Sequence, residues 1–96
     1  MTDRYPRQNP QAAWRTYDGE AVVISPEDST LHTLNAVATL IWEAADGRTP
    51  IDAIAARICR EFEVDRERAI RDAEVFVAEL AGRGLLTLSD APAEGA

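Results

Sequence analysis

The chain has 96 residues, with ten Arg, no Lys and seventeen acidic residues, giving a formal net charge of −7 and a pI near 4.5. A domain of this size buries only about 60–65% of the surface that its unfolded chain exposes, so we do not expect a large enclosed catalytic cavity. Phosphate backbones attract Lys and Arg, and the acidic charge therefore argues against nucleic acid as the partner. No apolar run reaches the ~18 residues that span a bilayer and no secretory signal opens the chain, which favours a cytoplasmic protein without membrane contact.

The predicted domain covers residues 12–88 and lies between two flexible ends. Residues 1–11 contain Pro6 and Pro10 and have neither helical nor strand periodicity, which is typical of a mobile arm. Residues 89–96 have too few apolar groups to offset the entropy that is lost on ordering, so we expect a flexible tail.

Three short strands are predicted at the start of the domain. Residues 14–17 and 20–24 are rich in β-branched and aromatic side chains, and they flank Asp18-Gly19, a pair suited to the positive φ angles of a tight hairpin turn. A polar turn with a proline follows, since Pro fixes φ and Asp and Ser bond locally to the backbone. Residues 30–34 then form the third strand.

Three helices complete the predicted domain. Asn35 is expected to cap the first, because its side-chain oxygen can accept from unpaired amides of the first turn, and Gly47 is expected to close it. Thr49, which precedes a proline, is the predicted cap of the second helix. Asp65 is the predicted cap of the third helix, which is expected to cover residues 66–83. This order predicts an α+β fold of winged-helix type, with a three-stranded antiparallel sheet followed by three helices.

The sequence offers little for catalysis or for metal binding. His32 is the only His, and the single Cys59 has no Cys or His at ligand spacing. The five glycines stand singly, so there is no glycine-rich phosphate loop. We therefore expect a protein that is not an enzyme and that has no metal or cofactor.

The third strand is the first candidate for a binding surface. In a three-stranded sheet two strands have a free edge, which proteins usually protect with charge, proline or a bulge. Leu31, His32, Thr33 and Leu34 provide none of these. Such an edge can accept an extended peptide as an additional strand. Two alternatives remain open at this point: the strand is central in the sheet, or the N-terminal arm covers it.

The last helix contains a second candidate surface. Arg68, Asp72, Val75 and Glu79 fall on one stripe, away from the predicted inward face of the helix. Val75 is apolar among charges and could form the floor of a groove, with Phe76 as its inner wall. Alternatively, Val75 is an isolated exposed aliphatic side chain and Phe76 belongs to the core.

Several short motifs occur in a fixed order and together resemble the PqqD family over residues 12–88. In that family Leu-Asn opens a helix with Ile-Trp near its end, a Gly turn follows, and the last helix contains Asp, Phe and Leu before Gly-Leu-Leu. In this chain the motifs are Leu34-Asn35, Ile41-Trp42, Asp46-Gly47, Asp72, Phe76-Val77, Leu80 and Gly84-Leu85-Leu86. Val77 stands where the family more often has Leu.

The resemblance implies a protein without catalytic activity that holds the leader of a ribosomally made precursor peptide and presents it to a modifying enzyme. The leader would pair with the third strand and lie against the last helix. The implied peptide-binding site consists of Leu31, His32, Thr33, Leu34, Arg68, Asp72, Val75, Phe76 and Glu79. The partner enzyme would be a radical S-adenosylmethionine protein, as in pyrroloquinoline quinone synthesis, or a maturase of the lasso type.

A winged-helix DNA-binding regulator is the alternative function, since it shares the predicted arrangement of helices and hairpin. The acidic residues on the two candidate reading helices and the low pI argue against it. The free strand edge leaves a monomer or a weak homodimer as the expected oligomeric state.

Overall fold

The computed structural model describes residues 4–92, which form five strands and three helices. The strands are β1 (Tyr5–Gln8), β2 (Ala13–Tyr17), β3 (Glu20–Ile24), β4 (Leu31–Thr33) and β5 (Leu86–Ser89). The helices are α1 (Ala36–Ala44), α2 (Ile51–Phe62) and α3 (Arg66–Gly82). None of the helices in this part of the chain is long and apolar enough to cross a membrane. The predicted α+β class is confirmed, and β1 and β5 are additions to the predicted elements.

β2, β3 and β4 form an antiparallel sheet in that order, with β3 at its centre. The hairpin between β2 and β3 turns at Asp18 and Gly19, whose φ angles of 52° and 81° are both positive, as the sequence predicts. In the register of the sheet, Thr33 lies beside Val22, which in turn lies beside Arg15. The hairpin and the third strand therefore form one sheet with a single register.

The predicted mobile arm is wrong for residues 5–8, because these residues form β1 and pair with β5 near the other end of the chain. Pro6 is fully buried. The side-chain amide of Gln8 donates to the carbonyl oxygen of Trp42 at 2.8 Å, and the backbone amide of Gln8 donates to the carbonyl of Ala45 at 3.0 Å. Tertiary contacts, and not local periodicity, order this segment.

β5 also corrects the predicted start of the flexible tail. Ser89 is the last residue of β5 and lies opposite Tyr5, while Leu86 lies opposite Gln8. The short strand has a weak local pattern, and its partner is far away in sequence, so neither strand could be recognised alone. The remaining parts of the predicted arm and tail, residues 1–3 and 93–96, lie outside the described residues.

Two of the three predicted helix caps are confirmed. Asn35 accepts a hydrogen bond from the amide of Ala38 at 2.8 Å at the start of α1. Asp65 accepts from the amide of Arg68 at 2.8 Å at the start of α3. Both bonds satisfy amides that have no partner within the helix, which is why these residue types mark helix starts.

The turn between α1 and α2 differs from the prediction. Pro50 is the N-cap of α2 and makes no side-chain cap bond, while the Thr49 hydroxyl donates to the Asp46 carboxylate at 3.2 Å. Asp46 also accepts from the amides of Arg48 and Thr49, each at 2.8 Å. α1 ends before this turn, so Gly47, with a φ of 80°, lies within the turn and does not close the helix.

The core lies between the sheet and the helices. Trp42 and Ile41 of α1 are fully buried, and the Trp42 ring meets the ring of Trp14 from β2 at a centroid distance of 5.9 Å in a T-shaped arrangement. The buried hydroxyl of Thr39 accepts from the amide of Ala21 at 2.8 Å and thereby links α1 to β3. These contacts fix β3, and hence β4, relative to the helices.

Candidate peptide-binding site

β4 is an edge strand of the three-stranded sheet. One side of β4 pairs with β3, and no residue within the described range 4–92 pairs with its other side. The alternative of a central strand is therefore wrong. Residues 5–8 of the predicted arm do not cover this edge either, because β1 pairs with β5 in a separate two-stranded sheet.

The ladder between β3 and β4 determines which backbone groups face the open edge. Leu34 donates its amide hydrogen to the carbonyl of Ala21 at 2.8 Å. His32 lies two residues earlier in the same strand, so its backbone amide and carbonyl point in the same direction as those of Leu34. Because the direction of the backbone groups alternates along an antiparallel strand, His32 faces β3, whereas Leu31 and Thr33 face the open edge. These two residues offer two amides and two carbonyls to an added strand.

His32 joins β4 to the end of α3. Its side chain is half-buried, and Nδ1 of its ring lies 3.4 Å from Nη1 of Arg83, the residue that follows α3. An open concavity of about 450 Å³ surrounds this contact. The other residues that line it are Ser25, Glu27, Asp28, Ala81, Gly82 and Gly84.

Arg83 identifies the side of α3 that is turned toward β4. Four residues follow one another at steps of four, three and four, and they therefore lie on one stripe: Asp72, Phe76, Glu79 and Arg83. Arg83, at the C-terminal end of this stripe, contacts His32, so this end of the stripe lies next to the strand. Arg68 extends the stripe by one turn, and its Nε lies 3.8 Å from Oδ2 of Asp72 in an exposed ion pair. Such a pair stabilises a protein by only about 0.2–1 kcal/mol, so both groups can exchange partners.

Phe76 and Val75 lie in different environments. Phe76 is partly buried and packs against the core, whereas Val75 is 50% exposed. At about 100° per residue, Val75 is turned to the outer side of the stripe. There it lines a shallow concavity together with Glu67, Ile70, Arg71 and Glu74. The structure therefore places Phe76 against the core, and it places Val75 on the outer side of the helix and not at the floor of a groove.

The end of the groove near the turn between β3 and β4 is acidic. Hydrogen bonds from the backbone amide and the hydroxyl of Thr30 hold the pKa of Asp28 below its ordinary value, so this carboxylate is ionised at neutral pH. Glu27 is exposed beside it, and Arg83 lines the same concavity. A peptide that reaches this end meets two carboxylates and one guanidinium.

Arg83 is the residue of this site that the sequence interpretation missed. The predicted stripe stopped at Glu79, although a further step of four residues leads to Arg83. Helical periodicity could have found the position. Its contact with His32 could not be found in this way, because the contact depends on the approach of α3 to β4.

The described residues contain no site of the kind that binds metals. Among residues 4–92, no group of three or more His, Cys, Asp or Glu side chains is arranged to hold a metal ion. Cys59 is a free, partly buried thiol that packs against the core.

Comparison with known proteins identifies the family. The family model described as "Coenzyme PQQ synthesis protein D (PqqD)" matches residues 20–86, which is more than half of the chain. The chain belongs to the PqqD family. This PqqD family member is 31% identical over 70 residues to the "PqqA binding protein" of Rhizobium meliloti (strain 1021), and the alignment covers 73% of this chain and 69% of that relative.

Two solved structures have the same fold as this PqqD family member. The first, "TbiB1 in Complex with the TbiA(beta) Leader Peptide", has a TM-score of 0.76 and 29% identity, and the match covers 83% of this chain and 93% of that chain. The second, "Lasso peptide synthetase B1 complexed with the leader peptide", has a TM-score of 0.74 and 26% identity, with coverage of 86% and 98%. The predicted fold and the predicted family are both confirmed.

Proposed function

We propose that this PqqD family member binds the leader of a ribosomally made precursor peptide and presents the peptide to a modifying enzyme. The leader adds to β4 as a further antiparallel strand and lies against the stripe of α3. The open edge of β4, where Leu31 and Thr33 turn their backbone groups outward, is the observation that carries the proposal. The site consists of Leu31, His32, Thr33, Leu34, Arg68, Asp72, Val75, Phe76 and Glu79, together with Arg83.

The proteins that resemble this chain support the proposal. The relative from Rhizobium meliloti is described as binding PqqA, and both solved structures are described with a leader peptide. The alternative of a DNA-binding regulator finds no such support, and the net charge of −7 opposes it because DNA attracts basic surfaces.

The expected affinity follows from the groups at the edge. About four backbone hydrogen bonds at ~1 kcal/mol each, with two or three anchored apolar side chains at ~2 kcal/mol each, give on the order of 8–10 kcal/mol. Ordering a flexible leader removes about 2–5 kcal/mol of this. The remainder corresponds to binding no tighter than roughly micromolar, unless the modifying enzyme adds contacts.

The proposed role is non-catalytic and cytoplasmic. Nδ1 of His32 lies against the Arg83 guanidinium, and not against a carboxylate that could orient the ring as a general base. The modifying enzyme, a radical S-adenosylmethionine protein or a maturase of the lasso type, supplies the chemistry. The carrier needs no cofactor of its own, since backbone pairing and surface contacts are sufficient to hold a peptide.

The variant Thr33→Pro tests strand addition directly. Proline removes the outward amide hydrogen of Thr33 and leaves the bonds between β4 and β3 in place, so the sheet should persist. Binding is measured by calorimetric titration with synthetic leader peptides of the PqqA type and of the lasso type. We expect the loss of one bond and the constraint on the strand to weaken binding by roughly tenfold or more, with little change in melting temperature.

Two matched variants separate binding from folding. Thr33→Val keeps both the β-branched shape and the amide, and it should bind the leader like the wild type. His32→Pro removes an amide that faces β3 and should lower the melting temperature. A folded Thr33→Pro protein that binds the leader with wild-type affinity would contradict strand addition at this edge.

The precursor class is decided by a direct competition. A leader of the PqqA type and a leader of a lasso precursor are titrated against the same protein, because similar proteins with both kinds of description exist. We expect a preference of roughly tenfold or more for one of them, equivalent to about 1.4 kcal/mol. Failure of the wild type to bind either leader would refute the proposed function.

A further inference from the structure

The outer face of the three-stranded sheet contains an apolar surface on the side opposite to the helices. In the register of the sheet Ile24 lies beside Leu31, and Val22 and Tyr17 lie on the same face because side chains alternate along each strand. Tyr17 is 69% exposed, Leu31 60% and Ile24 39%. We name these four residues the outer patch. Adjacent exposed apolar side chains of this kind typically mark an interaction surface.

Acidic residues flank the outer patch at both ends of the sheet. Asp18 and Glu20 lie at the turn between β2 and β3, and Glu27 and Asp28 lie at the turn between β3 and β4; all four are exposed. Arg15 is an exposed basic residue on the same face. The surface therefore has an apolar centre and a predominantly negative rim.

We infer that the outer patch is a second docking surface and that it takes the modifying enzyme, through an enzyme surface with an apolar centre and Lys or Arg at its rim. The inference rests on the proposed carrier function. Opposite charge at the rim favours this partner over a second copy of the chain. In a symmetric pairing of two outer patches, the rims would bring mainly carboxylates together, and like charges in contact oppose association.

The outer patch is continuous with the leader site. Leu31 belongs to both, and Thr33 of the leader site lies beside Val22 of the patch; the backbone groups of Leu31 and Thr33 face the open edge of β4 while their side chains lie on the outer face. A leader added to β4 extends this face by one strand and places alternate leader side chains next to Leu31 and Thr33. An enzyme on the outer patch therefore contacts the carrier and the bound leader together. Leader and enzyme then raise each other's affinity for the carrier by the same factor.

The double variant Tyr17→Thr with Ile24→Thr tests the docking surface. Threonine keeps the strand propensity and removes most of the apolar contact area, and Leu31 is left unchanged because it belongs to the leader site. The affinity for the modifying enzyme, a radical S-adenosylmethionine protein or a maturase of the lasso type, is measured by biolayer interferometry, with and without leader. We expect roughly tenfold or more weaker enzyme binding in both conditions, and unchanged leader affinity and melting temperature.

Matched variants test the specificity and the charge of the surface. Ala56→Thr adds the same side chain on the exposed face of α2 and should leave enzyme binding unchanged. Asp18→Asn with Glu20→Gln removes two rim charges at the turn between β2 and β3, away from the leader site. Salt screens the attraction between exposed charges, so binding of the enzyme to the wild type should weaken as the salt concentration rises from about 50 to 500 mM. The variant has fewer rim charges, so its affinity should depend less on salt.

Two results would overturn the inference. One is wild-type affinity of the Tyr17→Thr, Ile24→Thr protein for the enzyme. The other is self-association through this surface. In that case sedimentation would show a dimer of the wild type that the variant does not form, while the affinity of the variant for the enzyme is unchanged. A wild type that fails to bind any leader refutes the carrier function separately, because enzyme affinity is also measured without leader.

Discussion

Nη1 of Arg83 lies 3.4 Å from Nδ1 of His32, where the end of α3 approaches the open strand β4. The contact joins residues that are 51 positions apart, and it lies at the C-terminal end of the stripe that contains Asp72, Phe76 and Glu79. A separation of 3.4 Å is long for a hydrogen bond, so the guanidinium is held weakly and is available to a ligand. The helix and the strand are thus linked by a contact that an incoming peptide can replace.

The variant Arg83→Gln should weaken leader binding and leave folding intact. It removes a charge that is partly solvated, for which about 0.2–1 kcal/mol is typical, so we expect binding to fall by about 1.4- to fivefold. The measurement is fluorescence anisotropy of a labelled leader at low and high salt, and the loss should shrink at high salt. Arg57→Gln, on the exposed face of α2, is the control. An equal loss in the control would show a general charge effect and not a role for Arg83.

The variant Val75→Glu tests the outer rim of the groove. Val75 is 50% exposed, so the substitution should leave the melting temperature nearly unchanged. It replaces an apolar contact with a charge that lies three and four residues from Asp72 and Glu79, and this negative cluster should weaken leader binding several-fold in calorimetric titration. Ala78→Glu, at an exposed position about 60° farther around α3 from the stripe than Val75, should bind normally. Normal binding by Val75→Glu would remove Val75 from the site.

The variant Leu80→Ala should act on stability and not on the groove. Leu80 is 2% exposed and belongs to the inward face of α3, so truncation leaves a cavity in the core. We expect the free energy of unfolding to fall by about 2–5 kcal/mol in urea denaturation. The protein that remains folded should bind the leader with wild-type affinity. A loss below ~1 kcal/mol would mean that the core closes around the smaller side chain.

The features predicted correctly are those that local chemistry determines. Asp18-Gly19 turns the hairpin because both residues accept positive φ, and Asn35 and Asp65 cap helices with their own side chains. β1 and β5 were missed because each is four residues long and gains its order from a partner at the other end of the chain. Because β1 pairs with β5, it does not cover the edge of β4. The sequence alone does not show where the N-terminal segment docks, so it left open whether this edge is free.

The variant Gln8→Ala tests the role of β1 in the fold. The Gln8 side chain donates to the carbonyl of Trp42 at 2.8 Å, and its loss leaves that carbonyl without this donor. We expect the free energy of unfolding to fall by about 0.5–1.5 kcal/mol in chemical denaturation. Gln11→Ala, at an exposed position outside the strands, should have no comparable effect. Equal stability of the two variants would mean that the hydrogen bond from the Gln8 side chain contributes little to the fold.

Asp46 makes part of the stability dependent on pH. Burial raises the pKa of this carboxyl, but hydrogen bonds from the amides of Arg48 and Thr49 and from the Thr49 hydroxyl outweigh burial, so the net pKa lies below the ordinary value of 3.8. A group whose pKa is lowered in the folded state stabilises the fold above its unfolded pKa, and this contribution is lost as the pH falls through the folded pKa. The stabilisation is therefore present at neutral pH and declines below a pH of about 4.

The variant Asp46→Asn isolates this charge. Its side-chain oxygen can still accept from the amides of Arg48 and Thr49, but the favourable interaction with a negative charge is absent at every pH. The difference in free energy of unfolding between wild type and variant should be constant from about pH 5 to 8 and should shrink as the pH falls below about 4. Measuring the difference cancels the titration of the other carboxyl groups. A difference that stays constant through the acid range would mean that the hydrogen bonds hold the turn without help from the charge.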